Sequence, residues 1–300
     1  MAQPLERQKA KPHLAEEWVG KIYTSLCIGF LILTIFSLVY FVASKGLSTF
    51  IKDQVNAFDL LTGLKWAPEG QPALFGALPF IFGSFSTSLL AAAIAAPLGF
   101  CAAVFMVEIA PKFGRKYMQP VIELLAGIPS VVYGFVGLSV IVPVLRDIFP
   151  GQGVGIAAGA IVLSIMILPT ITTIATDALA ALPKGLKEGS YALGATRWQT
   201  IYRIVLPTTM PALLTGIVLG IARAFGEALA VQMVIGNAPH IPRSLFESAS
   251  TLTSAITLSM GNTAMGSTPN NALWSLALIL MLMTFVFVFI VRWLERRSKI

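Results

Sequence analysis

Charge is the scarcest property of this sequence. Only 12% of its 300 residues are Asp, Glu, Lys or Arg, against 56% apolar or aromatic, and the mean hydropathy is +0.80. A water-soluble fold needs about a quarter of its residues charged, so an ordinary soluble domain is excluded and lipid must be the main solvent. Cysteine is nearly absent. Cys27 and Cys101 both fall inside apolar runs, too few and too far apart for a disulfide framework or a metal site, and the expectation is two reduced, buried thiols. The two histidines, His13 and His240, are isolated and read as polar surface residues. There is no HExxH, no GxSxG and no pair of intramembrane aspartates, so hydrolysis within the bilayer has no catalytic set. There is also no GxxxxGK[ST] loop to cradle a nucleotide's phosphates. Soluble domains, solenoid repeats and low-complexity tails are missing too. The 21 bases exceed the 14 acids, giving a formal charge of +7, but they form no single cluster, so nucleic acid is not an expected partner.

What is present is long apolar runs. Crossing the hydrocarbon layer as a helix takes about 20 predominantly apolar residues, and six stretches qualify: 22–44, 79–107, 121–145, 153–175, 210–236 and 272–293. They are too long for barrel strands and lack the strands' alternation. The first run could be mistaken for a signal peptide. Its apolar length and a polar leader holding Glu6, Glu16 and Glu17 favour a retained helix.

Lys and Arg accumulate on the cytoplasmic side of a membrane protein. With the N terminus inside, fifteen bases fall in cytoplasmic segments and five in outer loops, Arg223 lying within the fifth run. The fold class expected is therefore an all-α polytopic membrane protein of six transmembrane helices, with both termini cytoplasmic. Its expected divisions are a cytoplasmic segment at 1–21, a first helix and outer loop at 22–78, a main transmembrane domain at 79–294 and a tail at 295–300. The outer loop at 45–78 has aromatic anchors in Phe50 and Trp66, and Phe50, Phe58 and Leu61 loosely fit a short amphipathic helix on the membrane surface. In the outer loop at 237–271, the stretch 252–260 is apolar enough to dip back toward the bilayer but too short and polar for a seventh span.

The inner loop at 182–207 is the most informative segment. It reads as two short helices joined at Gly194, since glycine turns the chain without steric penalty. Thr196 and Gln199 have the spacing of a capping box that starts the second helix. Leu186, Tyr191 and Leu193 on the first helix and Trp198, Ile201 and Ile204 on the second are apolar in a basic loop, which calls for a covering protein partner. In the fifth run, Arg223 and Glu227 stand at membrane depth, where an ionisable group is a functional hypothesis by default. On one continuous helix they would share a face with Gly216 and Gly220, within about 60°, a face directed into the protein. Two readings of the pair stay open: an intrahelical ion pair, or groups that meet a substrate. Glu123, near the start of the third run, reads mainly as a structural residue.

These segments carry a resemblance. Glu188-Gly189-Ser190, three residues, Gly194, nine residues, Ile204, one residue and Leu206-Pro207 resemble the coupling loop E-A-A-x3-G-x9-I-x-L-P of binding-protein-dependent ABC importer permeases. Gly189 and Ser190 keep the size but not the identity of the two alanines. Arg223-Ala224-Phe225-Gly226-Glu227, with Ala230 and Gly236-Asn237, resembles the R-A-x-G-E segment of phosphate-specific importer permeases, and 233–237 favours their C-type subunit. The run 123–134 resembles that family's I-E-L-L-A-x-I-P-S-I-V-Y-G, and Ile109-Ala110-Pro111 agrees.

The resemblance implies a permease core in which Glu188, Gly194, Ile204, Leu206 and Pro207 couple to a separate ATPase. Arg223 and Glu227 would then line the substrate path. It implies as partners an A-type sister permease, an ATPase subunit dimer that binds ATP and Mg, and an external phosphate-binding protein; this chain would hold no cofactor and catalyse no reaction. The membrane implied is that of a bacterial or archaeal cell. Chemically, guanidinium is the best bidentate partner for a tetrahedral oxyanion, and a Glu227 carboxylate would accept a phosphate P–OH, which sulfate lacks. The alternatives are a sulfate or molybdate importer and, in a different class, a proton-coupled transporter using Glu227 as relay.

Overall fold

The computed structural model describes residues 14–298. The chain divides after Lys45 into two compact units. The described residues of the first belong to one helix, Leu14–Gly46, which ends at the boundary and whose side chains from Trp18 to Phe36 are exposed and mostly apolar. A helix apolar on every side suits lipid. Cys27 is exposed on it, and Cys101 is exposed in the second unit; both are free, and the expected burial of the thiols is corrected.

Among the described residues six helices are long and apolar enough to cross a membrane: Trp18–Ile51, Leu78–Ile109, Ser130–Ile148, Ile156–Ala180, Arg197–Gly226 and Thr268–Ile290. All six expected runs are thus helical, with shifted bounds. In the second unit the fourth span is central, with 72% of its most apolar window buried against 17–39% for its neighbours. Small residues admit it. A Cβ on Gly99 would lie 3.0 Å from Thr172 Oγ1, and one on Gly159 would lie 2.9 Å from Thr87 Cγ2, so spans two and four pack at glycine distance. Their shared core holds Ala91, Ala95, Leu163, Met166, Ile167 and Phe225.

Among the described residues the helices contain four π turns, at Phe105–Ile109, Gly114–Met118, Gly137–Ile141 and Ile201–Val205. Each ends two residues before a proline: Pro111, Pro120, Pro143 and Pro207. Proline has no N–H to give and its ring crowds the carbonyl four residues back, so the preceding turn widens. Span three shows a full break as well. The helix Gln119–Gly127 stops, Ile128 is extended ahead of Pro129, and Ser130–Val136 resumes. Tyr133 Oη donates to Leu125 O at 2.6 Å and satisfies a carbonyl freed by the break.

The segments away from the 182–207 loop are ordered by their own core of Leu60, Ala77, Phe80, Leu252, Leu273 and Leu276. Here Asn56 caps the helix Ala57–Thr62, and Trp66–Ala67 pairs with Leu74–Phe75. Phe50 and Trp66 pack against this core; on the helix Ala57–Thr62, Leu60 is buried while the apolar side chains of Phe58 and Leu61 are exposed. Residues 252–259 form a helix, started by a capping box of Thr251 and Ser254. Its approach to span two is close. A Cβ on Gly83 would lie 2.0 Å from Ser250 O.

Candidate functional site

The loop at 182–207 folds as two helices, Lys184–Ala192 and Arg197–Thr200. Gly194 joins them with φ +78. Its N–H donates to Tyr191 O at 2.9 Å and that of Ala195 to Ser190 O at 3.2 Å, the paired bonds of a Schellman ending. Thr196 and Gln199 form the capping box their spacing suggested. The second helix differs from expectation in not being separate. It runs through the π turn before Pro207 into Leu206–Gly226, so Arg197–Gly226 is one span that begins inside the loop.

Glu188 and Gly194 are exposed, while Ile204 and Leu206 are half-buried and Pro207 opens the long helix of span five. Leu206 packs beside Ile201, Val205, Leu179, Leu182, Val104 and Ala103, a core that seats the loop on the ends of spans two and four. The apolar groups pointing the other way have no cover among the described residues. Leu193 is 90% exposed and Trp198 68%, more than a solvated loop would hold without a partner.

Several residues of the loop were not singled out by pattern. Ser190, where the family pattern has alanine, is buried and its hydroxyl lies 2.9 Å from Thr200 Oγ1, tying the two helices together. Lys187 forms an ion pair with Glu108 in the last turn of span two. Arg197 Nη2 donates to Ile109 O at 3.1 Å. Glu108 is a lone carboxylate closing an apolar run, and only that position signalled it.

Span five does not continue through Glu227. Its helix ends at Gly226, Glu227 is extended with ψ 124, and a second piece, Leu229–Val234, follows. Arg223 and Glu227 therefore do not share a helical face, and no ion pair joins them among the described residues, which removes the intrahelical-pair reading. Gly216 and Gly220 do face inward, where added Cβ atoms would meet Ile174 at 3.2 Å and Ile171 at 3.0 Å. Arg223 is exposed on the single chain, and its Nη1 donates to Thr170 Oγ1 at 3.2 Å. Glu227 is half-buried and serves the break itself. Its Oε1 accepts from Ala230 N at 3.2 Å, capping the second piece, and its carbonyl accepts from Thr253 Oγ1 at 2.8 Å. Irregular backbone at membrane depth persists only where such partners exist.

Glu123 is exposed and accepts from Gln119 Nε2 at 2.9 Å. It lines, with Arg115, Thr176 and Asp177, a cavity of about 360 Å³ beside the end of span two. His240 lies 3.2 Å from Glu247, whose Oε2 accepts the Arg243 N–H at 2.7 Å. That backbone hydrogen bond leads the causes that hold the Glu247 carboxyl below its ordinary range, with His240 adding to it.

Comparison with known proteins agrees with these features. Residues 95–300 match the family described as "Binding-protein-dependent transport system inner membrane component". The chain is 53% identical over 287 residues to the probable ABC transporter permease protein YqgH of Bacillus subtilis, covering 95% of this chain and 93% of that one. It is 37% identical to the phosphate transport system permease protein PstC of Mesorhizobium japonicum, covering 84% and 81%. Among solved structures, a bacterial alginate ABC transporter, in complex with an alginate-bound periplasmic protein, superposes with a TM-score of 0.65 at 16% identity over 95% of this chain and 96% of that one. The MetNI methionine transporter gives 0.56 at 18% identity, over 73% and 94%. The chain belongs to the binding-protein-dependent ABC importer permeases, as a multi-pass membrane subunit.

Proposed function

We propose that this chain is the C-type permease of an ATP-driven phosphate importer, lining the phosphate path together with an A-type sister. The observation that carries the substrate reading is Arg223. Its guanidinium stands in a membrane span, spends one of its donors on a neutral hydroxyl, and pairs with no carboxylate among the described residues. Holding a charge there costs a few kcal/mol even on gentle scales, a cost repaid when a planar fork meets a tetrahedral oxyanion. Among the described residues Glu227 Oε2 has no hydrogen-bond partner while Oε1 caps the helix, so a P–OH has an acceptor to find there. A sulfate would bring an oxygen to that carboxylate and be repelled.

In this reading the exposed apolar face of the loop at Leu193 and Trp198 docks on the ATPase dimer, with Glu188 and Gly194 at the contact. Ile204, Leu206 and Pro207 then carry its movement into span five. ATP and Mg belong to the ATPase, and an external phosphate-binding protein delivers substrate at the opposite end. Both termini face the cytoplasm of a bacterial or archaeal cell. Relatives named as phosphate transport permeases support the substrate class.

The test is phosphate uptake, with sulfate as competitor, in Arg223→Gln, Arg223→Lys and Glu227→Gln, each normalised to assembled complex. The expected result is loss of uptake in Arg223→Gln, poor rescue by Lys, and weaker exclusion of sulfate in Glu227→Gln. Full uptake by Arg223→Gln would remove Arg223 from the path.

A further inference from the structure

Both helices of the loop grip the same turn of span two. Lys187, on the first helix, pairs with Glu108; Arg197, on the second, donates to the next carbonyl, Ile109 O, at 3.1 Å. The hydroxyls of Ser190 and Thr200, 2.9 Å apart, hold the two helices to each other, so the grip is that of one body. The carboxylate is deeply placed, with the Glu108 side chain 7% exposed and that of Lys187 21%. A buried ion pair is a poor device for stability alone, because apolar residues of similar size do as well. What it adds is a fixed register between two elements.

The gripped turn, Phe105–Ile109, is a π turn, a place where a helix is already widened. It also leans on the next segment: a Cβ on Gly114 would lie 2.7 Å from Met106 Cα, at the start of the π turn that leads toward span three. A displacement of the loop therefore has two outlets. One is the continuous helix Arg197–Gly226 that carries Arg223, and the other is the Glu108 grip on span two.

We propose that Glu108 and Lys187, assisted by Arg197, are positioning residues that make span two follow the loop, so that ATPase movement displaces spans two and five together. This rests on the reading of the loop as the ATPase contact. Without the pair, the loop would still dock but would drive span five alone.

The experiment uses the whole complex in lipid nanodiscs and proteoliposomes, measuring co-purified ATPase, ATP hydrolysis, and phosphate imported per ATP hydrolysed. Glu108→Gln and Lys187→Gln are expected to keep the ATPase bound and hydrolysing while import per ATP falls at least tenfold. The double variant should fall no further than either single one, as expected of residues acting through each other, and Lys187→Arg should recover import. Should Glu108→Gln fail to assemble, the double variant, which leaves no buried charge unpaired, carries the same expectation. Unchanged import per ATP in the assembled double variant would overturn the proposal, as would loss of bound ATPase in an assembled Glu108→Gln complex. A separate variant, Glu188→Lys, isolates the underlying reading: if it keeps both the ATPase and full uptake, the loop itself is not the contact, whatever the Glu108 variants do.

Discussion

Gly194 offers a graded test of how the loop is built. Its φ of +78 is left-handed, and no described residue beyond its two chain neighbours comes within 4 Å of where its Cβ would be, so substitution in the free chain is limited by backbone strain and not by space. Three replacements separate these terms. Asn visits the left-handed region with little strain, Ala pays about 1–2 kcal/mol there, and Pro requires φ near −65° and removes the N–H that reaches Tyr191 O at 2.9 Å. At about 1.4 kcal/mol per tenfold, Ala lowers the equilibrium constant for the docking geometry roughly tenfold. Pro, at about 3 kcal/mol or more, lowers it by more than about a hundredfold. ATPase retained per permease in detergent, and uptake at equal membrane abundance, should therefore rank Gly near Asn, then Ala, then Pro. Wild-type uptake by Gly194→Pro would refute the requirement for this bend. Asn falling as far as Pro would show that free space at Gly194, and not its dihedral angle, is what the complex needs.

Other positions make equally direct claims. Gly83→Val should lower the amount of folded permease several-fold, because even a Cβ there would lie 2.0 Å from Ser250 O and backbone would have to move; abundance equal to wild type in membrane fractions would contradict the seating of 250–254 on span two. Single cysteines at Lys52, Asn262, Lys116 and Lys184, introduced after removing the exposed Cys27 and Cys101, should label from outside only at the first two, and external labelling at Lys184 would invert the proposed topology. The Glu247 carboxyl is held low by the Arg243 N–H and by His240, so its support of the 240–247 turn is present above the ordinary carboxylate range and lost as pH falls through its lowered value; the protection of the Arg243 amide, measured against its intrinsic exchange rate at each pH, should fall under those acid conditions, and Glu247→Gln should abolish the pH dependence of that protection.

The six spans were legible because lipid demands long apolar helices, and that pattern survives any local irregularity. The bend at Gly194 and the cap at Thr196 were legible because both are local: one residue type admits the dihedral angle, and one spacing closes the box. The break at Ile128 was signalled by Pro129, yet continuous apolarity from 121 to 145 masked it. Only Gly226 marks the break at Glu227 locally, and a single glycine in an apolar run is a weak stop signal. The sequence there suits a helix, and the interruption is held by Thr253, 26 residues on, together with the Glu227 carboxylate. The same limit applies to Glu108, whose partner Lys187 is 79 residues away. Residues that act in place could be named from pattern, whereas those that act across the bundle required the fold.

The most direct measurement is transport by the purified complex of both permeases and the ATPase, reconstituted in proteoliposomes with the external binding protein supplied outside. With ATP enclosed and no ion gradient, labelled phosphate should accumulate in proportion to ATP hydrolysed, and excess sulfate or molybdate should not compete. Uptake that needs a proton gradient and proceeds without ATP, or that carries sulfate or molybdate in preference to phosphate, would contradict the assignment of this chain to an ATP-driven phosphate path.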